Sequence, residues 1–489
     1  MNEKTKDDLP PDPSRLEMTP EAMRELGYRA VDLLVEHATG LRDKPVWRKE
    51  GRAAMEAALR EPPPEDGSDP LALLDVLNET VFPASGNLPH PRFYGFIPSP
   101  SNWVSVIADL LGAGYNPFAG NWMEASGPGM IEVLVLDWLR ELIGMPPSAG
   151  GILVSGGSMA NLTGLALARH QRLGEAMEGA VVYASDQTHS SVVRALAVLG
   201  FPANALRRLP ADPQGRLPLD ALRSAIGEDR AGRRRPFCVI ANAGTTNTGA
   251  VDPLDALADL CEAEDLWFHV DGAHGAAAAL CEAGREVLRG IERAHSLVID
   301  PHKWLFQPYE VGCLLVREQR QLPEAFHVMP EYLKITEGVP DEVNFMDHGV
   351  QLTRSFRALK LWMFFKTFGL KAFRAAIAEG IARTERVEGW LRGDPRWEVL
   401  SPAQLAIVCF RYRPQNQTTE AGLDEAALNR LNADMAEALN AEGYAFLSTT
   451  VLQGRTVLRL CPINPRTDDD ELRETLARLA GHGEKLASG

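Results

Sequence analysis

The chain has 489 residues, 45% of them hydrophobic and 24% charged, an ordinary globular composition with length enough for two or three domains. Its formal charge of −16, with no basic stripe, argues against nucleic-acid binding. No stretch approaches the roughly 20 apolar residues of a membrane span.

Residues 1–18 are polar and proline-rich and read as disordered or as an arm; they lack the apolar core of a signal peptide. Thr19-Pro20 then opens a helix as N-cap and first-turn proline. Met23, Leu26, Ala30 and Leu34 fall on one face of it, and Gly40 is a natural stop. A second, charged helix follows, and Glu61-Pro62-Pro63-Pro64-Glu65-Asp66-Gly67 is a linker by composition. These helices have apolar faces but no core of their own. They predict an appendage over 1–88 that packs on something else, with a partner subunit as the candidate.

From about 150 to 316, short β-rich runs alternate with helical ones. Strands are expected at 151–155, 180–184, 237–241, 267–271, 296–299 and 313–316, with helices at 158–172, 191–199, 217–226, 253–264 and 285–294 between them. This βαβ pattern predicts an α/β fold: a mostly parallel central sheet with helices on both faces, binding ligands at the carboxyl ends of its strands. A long helix over 355–373 closes this large domain, taken as 89–377. Helices at 381–392 and 425–441 and strands at 406–410 and 456–460 suggest a small α/β domain over 378–489. Cys238, Cys261, Cys281, Cys313, Cys409 and Cys461 form no Cys-x-x-Cys pair, and read as reduced core thiols of a cytoplasmic protein.

The candidate chemistry gathers at strand ends. Lys303, in Asp300-Pro301-His302-Lys303-Trp304, follows a short apolar strand, where lysine is unusual unless paired or chemically employed. Desolvation makes a lysine shed its proton and attack aldehydes, the first step toward a Schiff base with pyridoxal phosphate. Asp271 ends its own strand and suits a partner for a pyridine nitrogen, keeping that nitrogen protonated and the ring an electron sink. Alone it reads better as a capping residue on a βα loop. Gly156-Gly157-Ser158 opens a helix whose N-terminus can cradle a phosphate, although strand–Gly-Gly–helix turns are common. His189 can stack on a planar ring, worth about 1 kcal/mol, or cap the helix that follows it. Thr246 offers a hydroxyl or is a turn residue. His269, Asp271 and His274 raise a metal reading, but His269 and Asp271 share a strand face while His274 falls on the following loop.

Together these residues resemble the group II pyridoxal-phosphate decarboxylases, the aromatic L-amino acid decarboxylase family, over about residues 20 to 480. Pro301-His302-Lys303-Trp304 is the most specific element. His269-Val270-Asp271-Gly272-Ala273, Gly244-Thr245-Thr246 with Asp252, and Asp186-Gln187-Thr188-His189 follow. The resemblance implies fold type I of the pyridoxal-phosphate enzymes and a pyridoxal phosphate carried covalently on Lys303. It also implies Asp271 on the ring nitrogen, His189 on one ring face and Ala273 on the other, and Gly157, Ser158 and His302 at the phosphate, with Thr246 near the ring substituents. Tyr332 matches a loop tyrosine that protonates the substrate carbanion in a neighbouring subunit, so a homodimer is implied. Two departures stand out: Asp300 occupies a position that is often Asn, and His274 one that is often aromatic.

The segment His90-Pro91-Arg92-Phe93-Tyr94-Gly95-Phe96-Ile97-Pro98-Ser99 matches the family's side-chain pocket, where Phe96, Pro98 and Ser99 suit a flat apolar substrate. Thr353 falls at a position where Gly accompanies indole substrates and a hydroxyl phenolic ones. The expected reaction is decarboxylation of tyrosine, dopa or phenylalanine, in preference to tryptophan, giving the amine and carbon dioxide. Three other readings stand beside it: an aldehyde synthase, a glutamate- or diaminobutyrate-type decarboxylase, and a catalytically silent scaffold.

Overall fold

Strands of a sheet covered on both faces must be apolar on both faces, and the runs Gly-Gly-Ile-Leu-Val and Ala-Val-Val-Tyr-Ala-Ser meet that demand. In the structure, a computed structural model that describes residues 16–328, 341–414 and 424–488, both are buried from end to end. They are β1 (Gly150–Val154) and β2 (Ala180–Ser185), followed by β3 (Leu206–Leu209), β4 (Arg235–Asn242), β5 (Trp267–Asp271), β6 (Ser296–Ile299) and β7 (Gly312–Val316). The seven strands lie in the order β1-β7-β6-β5-β4-β2-β3. Pairing is parallel from β3 across to β6, and β7 runs antiparallel to both neighbours. The carboxyl ends of β1, β2, β4, β5 and β6 therefore open at one edge of the sheet, as expected for a mostly parallel α/β fold.

Residues up to Asn87 form one compact unit and Leu88–Gly489 a second. In the first, helix Pro20–Thr39 begins where the sequence places it, with the Thr19 hydroxyl accepting from Ala22 N at 3.2 Å and Gly40 as cap. No residue of its helices Pro20–Thr39, Arg52–Leu59 and Pro70–Val76 is buried. The second unit also holds an antiparallel sheet of β8 (Trp397–Gln404), β9 (Ile407–Tyr412), β10 (Ser448–Leu452) and β11 (Arg455–Leu460), in the order β10-β11-β9-β8. Helices Glu425–Glu442 and Asp469–Ser488 help build its own hydrophobic cluster around Phe410, Met435, Leu458 and Leu479. The expected boundary at 377/378 falls inside one helix, Ala358–Gly393, whose only break is at Gly369 (φ 70°).

Two further expectations are corrected. The helix expected at 285–294 is a short helix Glu282–Val287 and a 3-10 turn Ile291–Arg293, separated by Gly290 at φ 95°. Strand β3 has no counterpart in the sequence reading, because Leu-Arg-Arg-Leu is only partly buried at the sheet edge. Among the described residues, no helix is long and apolar enough to cross a membrane.

Candidate active site

Five strand ends deliver the site. Beyond β1, the chain turns through Gly156 and enters helix Gly157–Leu173 with no side chain capping its first turn. A side chain would crowd this turn: a Cβ on Gly157 would stand 2.7 Å from Asp300 Oδ2, and one on Gly156 3.0 Å from His302 Cε1. The helix N-terminus thus faces the cleft with exposed amide character and a positive dipole end. His189 follows β2, Thr246 the end of β4, Asp271 terminates β5, and Asp300, His302 and Lys303 follow β6. They line a cleft of about 400 Å³ together with Gly157, Ser158 and Ala273, so every residue expected at the cofactor is brought to one place.

Lys303 is held by its own turn. Its amide donates to Asp300 O at 2.9 Å, and its Nζ sits 2.9 Å from Asp300 Oδ2. Burial pulls the ammonium down, but the Asp300 carboxylate, with smaller help from Asp271 and Tyr309, more than offsets it and leaves the group above its ordinary value. The sequence reading expects a lysine stripped of its proton by burial. The structure reverses this, because a counter-charge lies within contact distance. Asp300 Oδ1 is buried without a hydrogen-bond partner. His302, 3.7 Å from Asp300, accepts from Val311 N through Nδ1 at 3.2 Å. Burial pushes its imidazole below the ordinary value, with Asp300 opposing.

Asp271 is 8% exposed. Its Oδ1 accepts from Ala273 N at 3.2 Å, and its Oδ2 from Asn161 Nδ2 at 3.0 Å. His189 caps helix Ser190–Val198, its Nδ1 accepting from Ser191 N at 3.2 Å and lying 2.8 Å from Ser191 Oγ. Asp252 stands away from the cleft lining. It receives Leu217 N, Asn242 N and Asn242 Nδ2, and so ties the loop after β4 in place. His274 lies parallel to Trp304 at 5.1 Å and donates to Leu405 O, and burial lowers its imidazole to about 3.

The expected substrate residues lie outside this lining. Phe96 is 58% exposed and packs on Phe446, with its backbone at φ 52° and its carbonyl accepting from Arg459. Pro98 is buried, Ser99 Oγ donates to Gln307 O at 3.1 Å, and Thr353 is exposed. Tyr332 lies outside the described residues. The sequence reading misses Asn161 and Ser191. Both are polar residues early in helices that start at strand ends, which is the signal that would have found them.

The donor set suits a phosphorylated pyridine aldehyde. A glycine cradle at a helix N-terminus fits a phosphate, a buried carboxylate fits a ring nitrogen, and an amine nucleophile stands between them. Among curated proteins, the chain is 48% identical to the aromatic-L-amino-acid decarboxylase of Bacillus atrophaeus, over 96% of this chain and 98% of that one. It is 30% identical to a phenylacetaldehyde synthase of Arabidopsis thaliana, over 94% and 95%. Among solved structures, Oryza sativa TDC with PLP and tryptamine superposes with a TM-score of 0.90 at 29% identity, covering 96% of this chain and 99% of that one. The pyridoxal-dependent decarboxylase conserved domain matches residues 54–413. With a lysine, an aspartate and a histidine at one edge of the sheet and this match across most of its length, the chain belongs to the pyridoxal-dependent decarboxylases.

Proposed function

We propose that the protein removes the carboxyl group of an aromatic L-amino acid, yielding the amine and carbon dioxide, with tyrosine, dopa or phenylalanine preferred to tryptophan. The observation that carries this is the meeting of Lys303, Asp271 and His189 in one cleft, supported by the identity to the Bacillus atrophaeus enzyme. Bound pyridoxal phosphate supplies an electron sink for the pair left on Cα when the carboxylate departs. Lys303 Nζ is the nucleophile that carries the cofactor. The amides at Gly157 and Ser158, with His302, hold the phosphate, while Asp271 faces the ring nitrogen and Ala273 and Thr246 border the ring. His189 orients the substrate carboxylate, and Tyr332 returns a proton to Cα. Asp271, His189 and Tyr332 act by holding charge or a proton in fixed geometry.

The working form is a homodimer in the cytoplasm. Tyr115 at 85% exposure, Leu110 at 59% and Phe82 at 63% are apolar surfaces that a second copy would cover. We assign substrate selection to Phe96 and Thr353, in a site that the second copy completes.

The test combines purified protein and pyridoxal phosphate with a panel of tyrosine, dopa, phenylalanine, tryptophan, glutamate and 2,4-diaminobutyrate. Carbon dioxide, amine, aldehyde and peroxide are measured together. Amine from the phenolic substrates is expected. Stoichiometric aldehyde and peroxide would make the protein an aldehyde synthase, release from the acidic or diamino substrates would move the specificity, and no turnover would leave a scaffold.

A further inference from the structure

Behind the cleft runs a chain of buried polar side chains whose direction is fixed by its two ends. Trp267 Nε1–H can only donate, and it donates to Ser296 Oγ at 2.8 Å. Ser296 Oγ lies 2.7 Å from His269 Nδ1, and His269 Nε2 lies 2.8 Å from Asn161 Oδ1. The Asn161 amide nitrogen reaches Asp271 Oδ2 at 3.0 Å and Ser191 Oγ at 2.9 Å. A carboxylate accepts only, so the Asn161 nitrogen must face Asp271 and its oxygen must face His269. His269 therefore donates from Nε2. Burial lowers its imidazole to about 4 against the pull of Asp271, so it holds one proton and its Nδ1 accepts from the Ser296 hydroxyl.

The other end is equally determined. The Ser191 backbone N–H donates to His189 Nδ1 at 3.2 Å. Ser191 Oγ receives the Asn161 amide and turns its own proton to the same nitrogen, 2.8 Å away. His189 Nδ1 is thereby an acceptor twice over, and the ring proton stands on Nε2.

We propose that Asn161 is a positioning residue for the reaction, whose one amide holds the Asp271 carboxylate and, through Ser191 Oγ, the His189 ring, whose Nε2–H form the Ser191 backbone N–H also favours. Its own orientation is set by Trp267, Ser296 and His269 behind it. The role in turnover rests on the proposed decarboxylation, and the hydrogen-bond direction does not. One side-chain amide then couples the group assigned to the ring nitrogen to the group assigned to the substrate carboxylate. A rotated Asn161 would present oxygen to carboxylate and disturb both together.

The experiment has two parts. ¹⁵N NMR of histidine-labelled apoprotein, with the His189 signal assigned through a His189→Gln variant, reads the tautomer without cofactor or turnover. A proton on Nε2 is expected, and a proton on Nδ1 overturns the proposal. Asn161→Asp keeps the shape and the acceptor for His269 but removes both donors. It is expected to leave the His189 tautomer in place, since the Ser191 backbone N–H still donates to Nδ1, but to alter the absorption band of bound pyridoxal phosphate and to lower kcat about a hundredfold, the scale of a small misplacement in a catalytic site. A variant with the wild-type band and kcat overturns the proposal, and if it does not fold the wild-type spectrum still decides. An Nε2–H His189 in a protein that decarboxylates none of the panel would sink the proposed function while leaving the chain's direction standing.

Discussion

Replacing Asp300 by asparagine removes the charge that holds Lys303 protonated while keeping the side chain's shape. Two unit charges 2.9 Å apart attract by about 6 kcal/mol at an effective dielectric near 20. The lysine side chain is 25% exposed and the aspartate 2%, so solvent screens a part, and about 3 kcal/mol is a working figure. At about 1.4 kcal/mol per factor of ten, this corresponds to roughly a hundredfold more free amine at neutral pH once the carboxylate is gone. The assay is stopped-flow absorbance of apoprotein mixed with pyridoxal, which lacks the phosphate and so isolates the lysine from the helix N-terminus. Asp300→Asn is expected to attach the aldehyde one to two orders of magnitude faster at pH 7, with its rate profile displaced toward acid. Equal rates and superimposable profiles for the two proteins would refute the reasoning.

The remaining expectations concern stability and product. Glu132 and Arg354 form an ion pair at 1% and 0% exposure, with Glu132 also accepting Leu153 N and Arg354 donating to Ala119 O and Leu153 O. Glu132→Gln leaves the arginine charge buried without its counter-charge and is expected to cost about 3–5 kcal/mol, read as a drop in urea midpoint; a loss under 1 kcal/mol would contradict the account. Burial lowers His269, His295 and His348 to about 4 and His274 to about 3 from 6.5. Their unfolded forms take up protons first, so this stability is complete above pH 6.5 and is lost as pH falls toward 4. The loss is about 1.4 kcal/mol per histidine by pH 5.5, and a midpoint flat between pH 7 and 5.5 would count against it. Tyr332→Phe is expected to divert product from amine toward aldehyde and peroxide by at least tenfold, measured on the same sample. An unchanged product ratio removes Tyr332 as the proton donor.

The sheet was legible because parallel strands carry unbroken apolar runs. Trp267–Asp271 and Ser296–Ile299 are found at their expected bounds, and the other four expected strands of the large sheet fall within two residues. Three edge strands, β3, β8 and β10, were hidden for the opposite reason, whereas the buried edge strand β1 was not. Arg207 and Arg208 occupy β3, Pro402 and two register shifts interrupt β8, and β10 is rich in serine and threonine. The residues bound for the cleft were legible as strand-end residues, since topology alone brings Ser158, His189, Thr246, Asp271 and Lys303 to one edge. What lies around them depends on distances that a sequence does not carry. Asp300 reverses the charge state inferred for Lys303, and Asn161 joins two residues that the sequence treats separately. Phe96 and Thr353 were assigned by resemblance, and in the single chain they face outward.

Lys303 is the residue on which cofactor attachment depends most directly. Wild-type apoprotein and Lys303→Ala are each mixed with pyridoxal phosphate, reduced with borohydride, digested and examined by mass spectrometry. The expected result is one reduced cofactor on the peptide containing Lys303 in the wild type and none at the site in the variant. Cofactor trapped in the cleft of Lys303→Ala, or on another lysine in the wild type, would contradict it.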